Sequence, residues 1–192
     1  METLLGLMIG IGLSAATGFR VFVPFLGMSI AAMSGHLTLS SGFEWIGTWP
    51  AFIAFATATA LEIGAYYVPW LDHLLDTITT PAAIVAGTVM TASMVGDISP
   101  LLKWSLAIIA GGGTAAIVQA GTVIARGTSA LVTGGFGNFT VATAEAFGAT
   151  LFTVIALMLP VLAVFAAGIF LFVVAKRILR SMRKESTLVT KQ

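Results

Sequence analysis

Residues 4–34 form one apolar stretch that carries a single ionisable side chain, Arg20. An arginine at bilayer depth costs between about 2.5 and more than ~10 kcal/mol unless it is paired or reaches water. A chain that keeps such a residue has to supply a partner or a cavity for it, and this requirement limits every fold open to it. Glu62, Arg126, Glu145 and the Asp72/Asp76 pair are likewise set among apolar residues. The expected product is a membrane protein that encloses a polar site.

Composition agrees with that reading. Hydrophobic residues make up 58% of the chain and charged residues 9%, whereas soluble domains carry about 25% charged residues. Charge is also segregated, since six of the nine basic residues (Lys176, Arg177, Arg180, Arg183, Lys184 and Lys191) lie in the last seventeen positions. A basic end of this kind is expected to stay in the cytoplasm, as a topology anchor or as a contact for anionic lipid. The absence of cysteine excludes disulfides and thiolate chemistry. The N-terminal apolar run lacks a positive leader region and continues past Arg20, so it reads as a first membrane segment and not as a cleaved signal.

A span needs about 20 apolar residues, and five regions approach this: 4–34, 45–70, 81–96, 101–125 and 147–175. Thr17, Gly18 and Pro24 bracket Arg20, which predicts a tilt, kink or break in the first. Trp45, Trp49, Tyr66, Tyr67 and Trp70 cluster at the two ends of the second, as an aromatic belt would. The third is short and rich in small residues, which suits close helix packing. Gly111, Gly112 and Gly113 weaken the fourth, and Pro160 predicts a kink in the fifth. Residues 126–145 are polar, nearly uncharged and rich in Gly and Thr, and read either as a surface loop or as a re-entrant, cavity-lining segment. Five spans with a cytoplasmic tail put the N-terminus and the Asp72/Asp76 segment outside and Lys103 inside; a fully re-entering segment would make six.

Gly12-Leu-Ser-Ala-Ala16 echoes Gly112-Gly-Thr-Ala-Ala116, and Glu44-Trp-Ile-Gly47 echoes Glu145-Ala-Phe-Gly148 at nearly the same offset. An inverted-topology repeat follows, with halves 4–70 and 104–175 joined by a helix over 81–96. The fold class expected is therefore all-α integral membrane: a single polytopic domain over 1–175 with about five transmembrane helices, then a basic cytoplasmic tail over 176–192.

Asp72 and Asp76 share one helical face, with His73 turned away by about 100°. They read either as a proton or cation site or as a solvated turn capping the next helix. Glu62 lies inside an apolar run and must be protonated, pair with a base such as Arg20, or face a cavity. Arg126 reads as a helix-end arginine reaching for the interface, or as part of the same site. The Gly-rich turn from Thr133 to Asn138 offers backbone amides that could form an anion nest, though no Gly-Lys-Ser/Thr follows to make it a P-loop. No hydrolase motif, histidine-rich centre or nucleic-acid patch is present, so neither an enzyme nor a nucleic-acid partner is expected, and no cofactor.

Three stretches together carry a resemblance: Gly12-x-Ser-Ala-Ala-x-Gly18-x-Arg20 with Pro24, Pro69-Trp-Leu-Asp-His-Leu-Leu-Asp76, and Thr133-Gly-Gly-x-Gly-Asn138 leading to Glu145. They resemble a bacterial membrane family known as domain of unknown function 4126, over residues 5 to 180. Trp-Leu-Asp-His is the most specific element. In the family pattern a second acid follows the glutamate, and Ala146 stands there in this chain. The resemblance implies a bacterial cytoplasmic membrane protein and no particular activity.

The function expected is a small transporter or channel, moving a small solute with a coupled proton or cation. Its pathway residues would be Arg20, Glu62, Asp72, Asp76, Arg126, Asn138 and Glu145. Membrane lipids surround it, and a homo-oligomer is expected because so few helices seldom enclose a pathway alone. A lipid scramblase for anionic headgroups and a non-transporting scaffold are the rival readings.

Overall fold

The computed structural model describes residues 2–96 and 98–189, apart from the side chains of Glu2, 69–76 and 177–189. Its elements are α1 (Glu2–Thr17), α2 (Phe22–Met33), a 3-10 turn (Glu44–Gly47), α3 (Trp49–Ala65), α4 (Pro69–Met94), α5 (Pro100–Leu106), a π segment (Ala107–Gly112), α6 (Gly113–Thr133), α7 (Asn138–Met158) and α8 (Pro160–Val189). The described residues contain no strand, as an apolar chain of helical pattern requires. By length and composition three helical stretches could cross a membrane: Thr77–Met94, Pro100–Thr133 and Asn138–Met158. Shorter apolar helices lie at Thr3–Thr17, Phe22–Met33, Trp49–Ala65 and Pro160–Lys176.

The first apolar region is two helices. After Thr17 the backbone tightens, with the Gly18 and Phe19 amides donating to the carbonyls of Ala15 and Ala16 at 3.2 and 3.1 Å. Pro24 falls in the first turn of α2, where its missing N–H does no harm. Neighbours on α7 give the direction. Gly12 of α1 abuts Ala156 and Phe19 lies against Gly148, while Gly27 of α2 abuts Thr153. So α1 runs against α7 and α2 runs with it, and the break around Arg20 is the bend of a helical hairpin.

The same contacts orient the rest. Gly6 and Gly10 of α1 face Met94 and Thr91 of α4, so these two helices are antiparallel. Gly111 faces Gly87 and Thr91, while Gly18 faces Val118 and Ala115, which makes α6 parallel to α1. The echoed segments at Gly12 and Gly112 therefore run in the same direction, and the expectation of inversion between them is not met. At Pro160, which has no N–H to continue α7, the chain folds back, and α8 packs Ala163 on Gly12 and Phe170 on Phe19. Counting α5, the π segment and α6 as one run, the described residues form seven successive helical runs.

Three further expectations change. The helix expected over 81–96 starts at Pro69, so the Asp72/Asp76 segment forms the first turns of α4. Residues 126–145 are neither loop nor re-entrant segment: α6 continues to Thr133, a four-residue turn follows, and α7 starts at Asn138. Gly134 and Gly135 take φ of 63° and 95°, which only glycine adopts without strain, and so make that turn. The start of α4 lies at the same end of the bundle as this turn and as the outgoing end of α8, with Lys103 at the other end. Asp72 and the C-terminal segment thus share an end, the reverse of the five-span expectation, because the turn at Pro160 divides the expected fifth span into α7 and α8 and adds a reversal after Asp72. Residues 176–189 continue α8 as helix.

Helices α1, α4 and α6 meet through small residues. Gly6, Gly10, Ser14 and Gly18 recur every fourth position, so they form one stripe along α1. A Cβ on Gly10 would stand 2.8 Å from the Thr91 Cα, and one on Gly111 would stand 2.4 Å from the Gly87 carbonyl oxygen. Ser14 Oγ lies 2.7 Å from the carbonyl oxygens of both Gly10 and Gly87, and 3.0 Å from Thr91 Oγ1.

Candidate functional site

Among the described residues, four charged side chains are buried at the hairpin end of the bundle: Arg20, Glu62, Arg126 and Glu145. Each comes from a different element, so the site exists only when the helices are assembled. Glu145 lies on the inward face of α7, in the series Asn138, Ala142, Glu145, Ala149 and Thr153. The small residues at 142 and 149 leave space for two guanidinium groups beside it. Arg126 of α6 holds Glu145 in a fork, its Nε donating to Oε1 at 2.9 Å and its Nη2 to Oε2. Such bidentate pairs combine charge with fixed geometry. Arg20 Nη2 lies 3.2 Å from Glu145 Oε2 and donates to the Ala142 carbonyl at 3.0 Å.

Tyr66, at the end of α3, holds both arginines. The Arg20 and Arg126 guanidinium carbons lie 3.7 and 4.0 Å from its ring centroid. Cation–π contacts of this kind strengthen when desolvated. Its hydroxyl lies 3.1 Å from Thr79 Oγ1 of α4, to which Gln119 Nε2 of α6 donates at 3.2 Å. The ring is only 3% exposed, so Tyr66 belongs to the interior and not to an aromatic belt. Trp45, Trp49 and Tyr67 are exposed as a belt requires; the Trp70 side chain lies outside the described residues.

Glu62 does not pair with Arg20. One turn before Tyr66, its carboxylate accepts from the Val21 amide at 2.7 Å and the Phe22 amide at 3.0 Å. These are free donors at the N-terminus of α2, where a negative charge is favoured by the helix dipole. Arg20 and Arg126 remain within its electrostatic reach. Two atoms of Arg20, Nε and Nη1, meet no acceptor among the described residues, and neither does Thr59 Oγ1 find a partner. Thr59 stands one turn before Glu62 on the same buried face of α3.

The structure therefore gathers Arg20, Glu62, Arg126 and Glu145 into one cluster. Arg126 is 2% exposed and lies within α6, so it does not reach for the interface as a helix-end arginine would. Asn138 is buried on the Glu145 face of α7, at the first residue of that helix. The side chains of Asp72, His73 and Asp76 lie outside the described residues. The glycine turn between α6 and α7 is closed by the Gly137 amide donating to Thr133 Oγ1 at 2.8 Å. No trio of His, Asp or Glu side chains able to hold a metal occurs among the described residues. Tyr66, Thr59, Thr79 and Gln119 were not foreseen as site residues. The signals for them were available: Tyr66 is four residues after Glu62, and Gln119 sits alone in an apolar helix.

Beside the cluster an apolar groove of about 470 Å³ opens sideways between α2 and α4. Val21 and Phe25 line one wall and Ile78, Pro81, Val85 and Val89 the other. Its wall includes the residue directly after Arg20.

A family model described as a domain of unknown function (DUF4126) matches residues 7–180. No curated protein and no solved structure matches the chain.

Proposed function

The chain belongs to the DUF4126 family, whose description carries no activity, and from its buried charge cluster we propose that it is a small membrane transporter with a proton-coupled solute site at Arg20. The observation that carries this reading is the unpartnered edge of Arg20, whose side chain is 0% exposed while Nε and Nη1 have no acceptor. A buried donor left unsatisfied costs about 1–3 kcal/mol, more when charged. A cluster that served only to lock helices would have no reason to keep that cost. Arginine donates and cannot accept, so the solute must bring an acceptor oxygen. Placement at a helix break, between a helix C-terminus and the next N-terminus, is the arrangement that transporters use for polar solutes.

In this reading the helices α1, α2, α3, α4, α5–α6, α7 and α8 lie in a bacterial cytoplasmic membrane. The basic residues after Lys176 then put the charged end of the bundle on the cytoplasmic side. The cluster lies about two turns, roughly 10 Å, beneath that face.

Reconstituted vesicles test it. Vesicles containing the protein and a pH-sensitive dye should acidify inside when lactate, phosphate or glycine is added outside, one of these giving the response. Arg20→Ala should abolish it. Wild-type vesicles that move none of the three, nor choline, refute transport.

The lateral groove favours a second reading. An apolar trough that reaches Val21 could seat an acyl chain while Arg20 receives an anionic headgroup. Scrambling of a fluorescent anionic lipid in the same vesicles, without solute uptake, would select that reading.

A further inference from the structure

Three places compete for further meaning. The hydroxyl and carbonyl cluster at Ser14 is saturated by its own hydrogen bonds, and the lateral groove already belongs to the lipid reading. The third is the contact between Glu62 and the start of α2, and it goes further.

Glu62 is a carboxylate held by two backbone amides at a helix N-terminus, with the guanidinium of the preceding residue, Arg20, within electrostatic reach. Those are the features of an anion-binding site: exposed amides, a favourable dipole and a cation. Arg20 supplies the independent observation, a buried side chain with two nitrogens that have no acceptor. Thr59 Oγ1, also unpartnered, is on the same face of α3. The binding apparatus is therefore larger than Glu62 uses. Its carboxylate takes two amide protons and leaves Arg20 Nε and Nη1 over.

We infer that Glu62 is an internal stand-in for the transported solute, and that the solute is a small carboxylate anion. The inference rests on the transporter reading. An incoming carboxylate takes the Val21 and Phe22 amides and the free edge of Arg20. Glu62, displaced, binds one proton from the aqueous phase, its carboxylate oxygen forming the new O–H bond. One negative charge enters the cluster as another is neutralised, so the balance of Arg20 and Arg126 against Glu145 and the bound anion is preserved. The proton and the anion then move together without net charge. Among the described residues, the other titratable groups facing this position are Tyr66 on α3, Arg126 on α6 and Glu145 on α7, the last two joined in their fork.

Propionate, which reproduces the end of a glutamate side chain, is the probe, and purified protein in detergent is the material. In the wild type, propionate should bind more tightly as pH falls, by up to about tenfold per pH unit, because each bound anion requires one proton at Glu62. Glu62→Gln removes the competing charge, so binding near neutral pH should tighten about tenfold or more and lose its pH dependence. Propionamide, which is neutral, should bind neither protein. Difference infrared spectra of the wild type should gain a protonated-carboxyl band on adding propionate, and Glu62→Gln should lack it. This wild-type measurement stands even if the variant folds poorly. Propionate binding that is independent of pH in the wild type, or no new carboxyl band, overturns the inference. If the vesicles still move phosphate or glycine, the transporter reading survives that failure; if they move nothing, both fall.

Discussion

Residues 6–14 of α1 and residues 18–20, just past its end, meet their neighbours in different ways. The first stretch packs glycine against α4, α7 and α8 at distances that would not admit a methyl group. Its one hydroxyl, on Ser14, is consumed by nearby carbonyls at 2.7 Å. The second stretch bends the chain and delivers Arg20 into a cluster where Nε, Nη1 and Thr59 Oγ1 have no partner. Dispersion and backbone proximity hold the first region together, since lipid offers no hydrophobic force between helices. Charge holds the second and leaves donors unused. The difference teaches where to look for function: in the region whose polar groups are incompletely spent.

The largest effect should come from Glu145→Ala. It leaves Arg20 and Arg126 buried without their shared carboxylate, and breaking a buried pair costs about 3–5 kcal/mol. Thermal unfolding in detergent should show a collapse in stability, or failure to accumulate folded protein. A mild loss would mean that water enters the cluster, and the contrast between a dry charged end and a dry packed middle would break. Gly111→Ala should come next, because its Cβ meets the Gly87 carbonyl oxygen, a backbone atom that cannot swing away. Overpacking of this kind costs about 1–3 kcal/mol. Molecules that do fold should transport normally, since Gly111 lies in the close-packed middle.

Arg20→Gln sharpens the comparison further. Glu145 keeps Arg126, and although Arg20 gives up its contacts with Glu145, the Ala142 carbonyl and the Tyr66 ring, two unsatisfied donors go with it, so stability should fall by less than in Glu145→Ala. Flux should vanish. Equal destabilisation by Arg20→Gln and Glu145→Ala, with flux retained, would make the charges a structural lock.

Much of the site was legible because a buried charge in an apolar chain announces itself. Arg20, Glu62 and Glu145 each stand out by contrast with their neighbours, and the break between Gly18 and Pro24 follows from local chemistry. Partner choice was not legible. Pairing with Arg20 was one of three readings open for Glu62, yet it caps α2, because the bend exposes two amides that pairing rules for side chains ignore. Direction was lost for the same reason: an apolar run interrupted by glycine reads alike whether the chain kinks or reverses, and only contacts with α7 separate the two. The spacing of Gly6, Gly10, Ser14 and Gly18 was in plain view, but apolar content alone hides it. Tyr66 looked like an interface residue since aromatic rings near span ends usually are.

Tyr66→Phe should give the smallest change, and it tests whether the tyrosine acts through its ring or its hydroxyl. Phenylalanine keeps the ring beside both guanidinium groups and loses the hydroxyl's contacts with Thr79 Oγ1 and Arg126. Thr79 still accepts from Gln119, so it is not left without a partner. Hydrogen bonds between helices in a membrane average about 0.6 kcal/mol, and a loss of that order in the unfolding midpoint is expected. Tyr66→Leu differs by removing the ring face, and should loosen Arg20 and Arg126 together. If the ring is what aligns them, Tyr66→Leu lowers transport while Tyr66→Phe preserves it. If the two variants are equally impaired, the hydroxyl link to α4 and α6 positions the arginines, and the charged end is governed by the same hydrogen-bonded packing as the middle of the bundle.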